Sequence, residues 1–206
     1  MDYQILVNKT HKIDKEYFKN VVLPSIVEVH PTKNNEAVYR TFGIKENKTY
    51  LEKKTAEMYE RMKKYAERND VILGITSGYL SFEQQKAKYN YFLEKKGIEF
   101  TKKSACLPGY SEHNTGLAMD CDIFRDGRWG GIAPDKDGNV NKETAWLHTI
   151  LHKFGFILRY PKGKEEITGM KFEPWHIRYV GESLAKHIYE KNLTMEEYFA
   201  KKEESK

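Results

Sequence analysis

The spacing of apolar residues divides the chain into alternating helical and extended segments. Across residues 49–69 apolar side chains recur every three or four positions with Lys and Glu between them, which predicts an amphipathic helix. Residues 71–76 form a short apolar run typical of a buried strand, and residues 117–123 alternate as a strand does. Two further strands are predicted over residues 156–160 and 172–180.

Capping residues mark where the other helices begin. Ser81 is followed three positions later by Gln84, a capping box for a helix that runs to about residue 94. Asn141 caps a second helix, which continues to residue 153 and is ended by Gly155. Because helices and strands are interspersed and joined by hairpin-like turns, we predict an α+β fold. Its centre is a mainly antiparallel sheet with flanking helices.

The remaining segments are loops and the two ends of the chain. Residues 125–141, with four glycines and a proline, are predicted to form a loop, and Thr194 with Glu197 makes another capping box near the C-terminus. Residues 1–200 show no repeat and no linker, so we expect a single domain followed by a charged tail at 201–206.

Composition and charge exclude several classes of protein. The chain has 206 residues, of which 39% are hydrophobic and 13% aromatic, enough for a sizeable core. The formal net charge of +5 is spread along the chain, so no nucleic-acid partner is expected. Neither a signal peptide nor a membrane span is apparent. The prediction is therefore a cytoplasmic protein if the sequence is full length, and a cell-wall-associated one otherwise. The two cysteines, Cys106 and Cys121, are expected in the core because no C-x-x-C pair exists.

Two short segments, far apart in the chain, hold the candidate chemistry. His113 and Asp120 come from the first segment, and Glu173 and His176 from the second. Two imidazoles and one carboxylate are sufficient ligands for a catalytic Zn²⁺, with one position left open. The second carboxylate, Glu173, can then take a proton from water.

The neighbouring residues add to this picture. In the predicted strand, Asp120 shares a face with Ala118, whose small side chain leaves room for a cleft over the sheet. Trp175 is expected to form a wall of the pocket and exclude water. The other histidines are interpreted as packed or surface residues: His11, His30, His148, His152 and His187.

The pattern Ser-x-His-x-x-Gly-x-Ala-x-Asp, followed by Glu-x-Trp-His, closely resembles the zinc D,D-peptidases of the VanY and VanX type, including VanXY, in peptidase family M15. The resemblance extends to residues 6–9, 107–113, 154–161 and 167–181. It implies a zinc site in a cleft over the sheet. Carried over by position, it makes His113, Asp120 and His176 the zinc ligands and Glu173 the catalytic base.

The resemblance also implies substrate-binding residues. Ser111 corresponds to a binder of the substrate's terminal carboxylate, and Gln85 lies on the substrate-side helix. Tyr79 and Trp175 belong to the matched motifs and are included among the predicted substrate-binding residues.

One position departs from the family pattern. Where the family usually has Ser-Gly-Tyr-Arg-Ser, this chain has Leu80 in place of the arginine that holds the oxyanion or a substrate carbonyl. Three explanations remain open: Arg159 or Arg178 substitutes for that cation, the substrate preference has changed, or activity is weak. From the sequence we expect Leu80→Arg to raise kcat on a D-alanyl-D-alanine peptide.

The implied function is a zinc D,D-carboxypeptidase that removes C-terminal D-alanine from peptidoglycan precursor peptides. A D,D-dipeptidase activity and a link to vancomycin resistance follow from the same resemblance. The alternatives are an L,D-carboxypeptidase, a phage-type peptidoglycan endopeptidase, or a weakly active module that binds cell-wall peptides. The sequence does not predict an oligomeric state.

Overall fold

A four-stranded antiparallel sheet forms the centre of the fold. The computed structural model describes residues 1–30, 40–41, 43 and 48–204. In chain order the strands are β1 Ile26–Val29, β2 Thr49–Glu52, β3 Ile72–Ser77, β4 Ala118–Phe124, β5 Phe156–Leu158 and β6 His176–Tyr179. The central sheet has the order β3-β4-β6-β5, and β1 pairs with β2 in a separate antiparallel ribbon.

Helices flank this sheet. They are α1 Lys15–Tyr17, α2 Lys53–Glu67, α3 Phe82–Ser104, α4 Lys142–Ile150, α5 Glu165–Thr168, α6 Glu182–Lys191 and α7 Met195–Glu204. Shorter turns complete the chain: a π-helical turn at Phe18–Val22 and 3₁₀ turns at Leu23–Ser25, Glu112–Thr115 and Leu151–Phe154. The predicted α+β class with a mainly antiparallel sheet is confirmed.

Strand β4 separates the apolar core from the polar face of the sheet. Met119, Cys121 and Ile123 belong to the main core cluster, together with buried residues of α2 such as Met58 and Met62. The intervening residues of β4 point to the opposite face because side chains alternate along a strand. This alternation places Asp120 on the face away from the core.

Two predicted elements have different boundaries in the structure. The helix predicted from residue 49 begins only at Lys53, because Thr49–Glu52 pair with β1 and Glu52 caps the helix by accepting from the Thr55 backbone N–H. The strand predicted over 172–180 is shortened to His176–Tyr179, since Pro174 has no N–H to pair.

Helix α3 runs ten residues beyond the predicted end at residue 94, to Ser104, with a non-helical Gly97 inside it. The capping boxes at Ser81 and Thr194 are both confirmed. Both cysteines are buried and form no disulfide, as expected.

The C-terminal end differs from the predicted tail. Residues 201–204 continue α7, and residues 205–206 lie outside the described residues. Within the described ranges, no helix combines the length and apolar character needed to cross a membrane.

Candidate metal centre and active-site cleft

His113, Asp120 and His176 come together at one point on the polar face of the sheet. One potential ligand atom of each lies within 4.8 Å of the others, and the described part of the chain contains no other such group of three. His113 Nε2 is 3.4 Å from Asp120 Oδ2, and His176 Nδ1 is 2.9 Å from Asp120 Oδ1. The three predicted ligands therefore form one cluster.

Strand pairing and a glycine turn position these ligands. Asp120 on β4 is the direct partner of His176 on β6, so the pairing register itself brings the two side chains to one place. His113 lies in the 3₁₀ turn, which ends at Gly116 with φ of 72°. A Cβ on Gly116 would lie 2.4 Å from Ile26 Cδ1 and 2.9 Å from the Glu52 backbone nitrogen, so only glycine fits this turn.

The ring nitrogens of His113 are assigned from their partners. Nδ1 lies 2.7 Å from the Gly78 carbonyl oxygen, to which it donates, and this leaves the Nε2 lone pair directed toward Asp120. Burial lowers the pKa of His113, which keeps the imidazole neutral at pH 7. A neutral imidazole is the form that binds a metal.

The donor set fits Zn²⁺. Two imidazole nitrogens and one carboxylate are the protein ligands of a three-ligand catalytic zinc site. Burial opposes ionisation of Asp120, but His113 and Lys88 outweigh it and hold the pKa of this carboxyl well below its usual range. Asp120 is therefore an anion over the whole physiological pH range and is suited to bind a cation.

Glu112 lies behind His176 and was not predicted as a functional residue. His176 Nε2 is 3.4 Å from Glu112 Oε2, while the other carboxylate oxygen accepts from Arg159 Nε at 2.7 Å and from Arg178 Nη1 at 2.9 Å. All four side chains are buried. Burial alone would raise the pKa of Glu112, but the two guanidinium groups reverse this and hold its pKa well below the usual range.

This network orients His176. Burial lowers the pKa of His176, but its hydrogen bonds to Asp120 and Glu112 outweigh burial and raise the pKa to about 9. Nδ1 faces Asp120 in the ligand cluster and Nε2 faces Glu112, which orients the ring. Because the raised pKa keeps the ring protonated at pH 7, a metal bound at Nδ1 would have to displace a proton. The sequence signal that could have found Glu112 is its position inside the ligand motif, directly before His113.

Arg159 and Arg178 are fully engaged by other groups of the protein. Arg159 also makes a bidentate ion pair with Glu196, at 2.9 and 2.6 Å. Arg178 Nη2 donates to the backbone carbonyl oxygens of Tyr3 and Ile5. Neither residue is among those that line the cleft. The structure therefore does not place either guanidinium where it could replace the cation missing at Leu80.

Glu173 lies in the same cleft as the ligand cluster and is 7% exposed. Burial raises its pKa to about 7, and Asp120 adds to the effect while His176, Lys88 and Lys171 oppose it. A carboxyl group with a pKa near the working pH can both accept and return a proton. Glu173 therefore has the position and the pKa that a general base requires.

Of the predicted substrate-binding residues, Ser111 and Gln85 line the cleft. Gln85 Nε2 donates to the Cys106 carbonyl oxygen at 2.7 Å, whereas its buried Oε1 has no hydrogen-bond partner among the described residues. An unpaired buried acceptor is costly and is often completed by a ligand. The cleft also contains Lys88 on α3, which was not predicted from the sequence.

Tyr79 and Trp175 do not line the cleft. Tyr79 stacks near Phe18, with ring centroids 6.4 Å apart. Trp175 packs against the main core, and its carbonyl oxygen accepts from the Cys121 N–H. The expectation that Trp175 walls the pocket is not met, since its side chain packs against the core whereas that of His176 lines the cleft.

Leu80 is 1% exposed and lies beside the ligand turn. Its N–H donates to the His113 carbonyl oxygen at 3.1 Å, and its own carbonyl oxygen accepts from Asn114 Nδ2 at 2.7 Å. The backbone at this position therefore supports the ligand turn, while the side chain supplies no hydrogen bond.

Comparison with known protein families identifies the family to which this chain belongs. Residues 48–182 match the family model described as VanY, D-alanyl-D-alanine carboxypeptidase. The chain belongs to the VanY family. The match runs from the start of β2 to just beyond β6, so it contains the ligand cluster, Glu173 and the cleft. The family suggested by the motif resemblance is confirmed.

Curated relatives of this VanY-family chain have related names. It is 36% identical over 95% of its length to a putative carboxypeptidase, YodJ, of Bacillus subtilis, and 33% identical over 94% to a D-alanyl-D-alanine carboxypeptidase of Enterococcus faecium. It spans 66% and 56% of the length of these two proteins. It is 33% identical to the bifunctional dipeptidase and carboxypeptidase VanXYC of Enterococcus gallinarum, covering 82% of this chain and 88% of that protein.

Solved structures show the same fold. The LdcB LD-carboxypeptidase superposes with a TM-score of 0.73 at 31% identity, covering 95% of this chain and 84% of that one. VanXYg in complex with a D-Ala-D-Ala phosphinate analogue also gives 0.73, at 28% identity over 96% and 70% of the two chains. A mutant of the D,D-pentapeptidase VanY in complex with Zn(II) gives 0.71, at 27% identity over 97% and 99%.

Proposed function

We propose that this protein is a zinc-dependent D,D-carboxypeptidase that removes the C-terminal D-alanine from peptidoglycan precursor peptides. The observation that carries the proposal is Glu173, a buried carboxyl with a pKa raised to about 7 in the same cleft as the His113, Asp120 and His176 cluster. The Zn(II) complex of a VanY neighbour and the names of the relatives support it.

The residues of the cleft divide the chemistry between them. His113, Asp120 and His176 would hold Zn²⁺, which would supply Lewis acidity toward a peptide carbonyl. Glu173 accepts a proton from the attacking water as the new C–O bond forms, and it returns that proton to the D-alanine nitrogen as the C–N bond breaks. Glu112 Oε2 orients the His176 ring through its contact with His176 Nε2.

Ser111 and Gln85 are the proposed substrate-binding residues. A serine hydroxyl in the cleft can donate to the terminal carboxylate of the peptide, as the family resemblance implies. The unpaired Oε1 of Gln85 can accept a hydrogen bond from a substrate N–H. Arg159 and Arg178 have a different role, since they hold Glu112 and do not themselves line the cleft.

Metal removal tests this function directly. We expect the zinc-loaded protein to release free D-alanine from a muramyl pentapeptide ending in D-Ala-D-Ala, and a chelator to abolish the release until Zn²⁺ is restored. Because zinc binds the folded state, restoring it at 100 times its Kd should also stabilise the protein by about 2.7 kcal/mol, seen as a higher Tm. Unchanged release after elemental analysis shows the metal gone would contradict the proposal. Zinc binding without any release would favour the peptide-binding module.

A second candidate is an L,D-carboxypeptidase, which the similarity to LdcB favours. Product analysis on three substrates separates the possibilities: a pentapeptide ending in D-Ala-D-Ala, a tetrapeptide ending in an L,D-linked D-alanine, and the free D-alanyl-D-alanine dipeptide. Cleavage of the free dipeptide would show that this protein also has a D,D-dipeptidase activity, as the name of VanXYC states for that relative. A contribution to vancomycin resistance requires activity on the first or third substrate, since both end in D-Ala-D-Ala.

A further inference from the structure

The cleft contains a positive charge that the sequence motifs do not include. Lys88 lies on α3, its side chain is 14% exposed, and its Nζ is 3.9 Å from Asp120 Oδ2. Of the residues that line the cleft within the described ranges, it is the one with a lysine or arginine side chain. A cation therefore lies beside the ligand cluster.

The start of α3 fixes the position of this lysine. The Ser81 N–H donates to Gln84 Oε1 at 2.8 Å, and the Gln84 N–H donates to Ser81 Oγ at 3.2 Å, so both halves of the capping box are made. Gln85 and Lys88 are three residues apart and lie on the same face of the helix. Because Gln85 is tied to the Cys106 carbonyl oxygen, this face of α3 is held against the cleft.

Neither Leu80 nor the two buried arginines supplies a cation to the cleft. Leu80 has no charge, and Arg159 and Arg178 both donate to Glu112 and are not among the residues that line the cleft. A peptide hydrolase needs a hydrogen-bond donor where negative charge develops on the carbonyl oxygen. Lys88 is the cleft-lining residue whose positive charge lies beside the ligand cluster, where this carbonyl oxygen would be placed.

Resting on the proposed function, we propose that Lys88 is the oxyanion-stabilising residue of this protein, with its ammonium group donating to the carbonyl oxygen of the peptide bond that is cleaved. The contact with Asp120 favours this oxygen over the terminal carboxylate of the substrate. The carbonyl must come to the ligand cluster that contains Asp120. The carboxylate lies one residue further along the peptide, where Ser111 is proposed to bind it.

Three variants test the role of Lys88. Lys88→Met removes the charge and keeps the length, Lys88→Arg keeps the charge, and Lys86→Met is a matched control at an exposed position of the same helix. We expect Lys88→Met to lower kcat on the pentapeptide about 100-fold with KM within about threefold of wild type, as for other oxyanion donors. Lys88→Arg should retain at least a tenth of kcat, and Lys86→Met should match wild type.

Binding of a phosphinate analogue of D-Ala-D-Ala gives a readout that does not depend on turnover. A phosphinate carries the tetrahedral negative charge of the reacting centre, so in zinc-loaded Lys88→Met its Kd should rise about 100-fold by calorimetry. The Kd of D-Ala-D-Ala itself and the affinity for zinc should stay within about threefold. Thermal unfolding of each variant shows whether it is folded.

Several outcomes would overturn this role. A kcat unchanged in Lys88→Met would do so, as would a rise in KM alone, which would assign Lys88 to the terminal carboxylate. A large loss of zinc affinity would assign it to the metal site instead. If the wild-type protein released no D-alanine from any of the three substrates, the proposed function would fail, whereas wild-type activity that persists in Lys88→Met overturns only the role of Lys88.

With Lys88 in this role, the expectation for Leu80→Arg changes. Since the cleft already has its cation, the substitution should leave kcat on the pentapeptide unchanged instead of raising it. It should also lower Tm, because the leucine is 1% exposed and a guanidinium in its place must be buried. A rise in kcat to well above wild type would show that the family arginine position is still needed here.

Discussion

Replacing Glu173 with alanine should lower kcat for D-alanine release by about 10²–10⁴-fold while leaving the zinc content unchanged. The side chain is not one of the three clustered ligands, so its loss removes the proton acceptor and leaves the metal site intact. Metal analysis of the purified variant, alongside its kinetics on the pentapeptide, measures both effects.

Two further variants sharpen this test. Glu173→Gln keeps the shape and removes the base, so it should be as inactive as the alanine variant. Glu166→Ala removes an exposed carboxylate outside the cleft and should behave as wild type. Retained turnover in both Glu173 variants would rule out this residue as the base, and loss of zinc together with turnover would indicate that it is a ligand.

Replacing Glu112 with alanine should destabilise the protein by about 3–5 kcal/mol, the usual cost of removing one partner from a buried ion pair. Arg159 and Arg178 both donate to Glu112 Oε1 and would be left buried with one carboxylate fewer between them. For a chain of this size the loss corresponds to a fall in Tm of about 10 °C. Thermal unfolding measures it, with the exposed Glu203→Ala as the control.

A milder substitution separates stability from the metal site. Glu112→Gln keeps the volume of the side chain and removes the charge that accepts from His176 Nε2. Loss of an orienting partner behind a ligand typically costs 10–100-fold in metal affinity, so zinc should bind more weakly to this variant. A Tm and a zinc affinity both equal to wild type in Glu112→Gln would show that the carboxylate charge has neither role.

Local sequence patterns predicted several elements correctly, because each depends on residues that are close together in the chain. The capping box at Ser81 and Gln84 requires only a side chain and a backbone N–H three residues apart. The alternation around Asp120 separates core from cleft in any half-buried strand. The motif resemblance named His113, Asp120 and His176 as one ligand set, and the structure brings these three side chains together.

The contacts of Glu112 and Lys88 were decided only by the tertiary structure. Glu112 pairs with Arg159 and Arg178 across 47 and 66 positions of the chain, and no local spacing predicts that these side chains meet. The sequence alone does not distinguish Lys88 from the surface lysines of an amphipathic helix. Only the packing of α3 against the cleft shows its position beside the ligand cluster. Trp175 was misassigned because its motif does not show which side of the sheet it faces.

For this protein, then, the sequence by itself determined the chemistry of the site: which side chains can bind zinc and which carboxylate can act as a base. The tertiary structure decided how that chemistry is supported, with buried arginines behind a ligand and a lysine in the cleft. The physical reason is that a donor atom's chemistry belongs to its residue type. The charge that surrounds it depends on how distant segments pack.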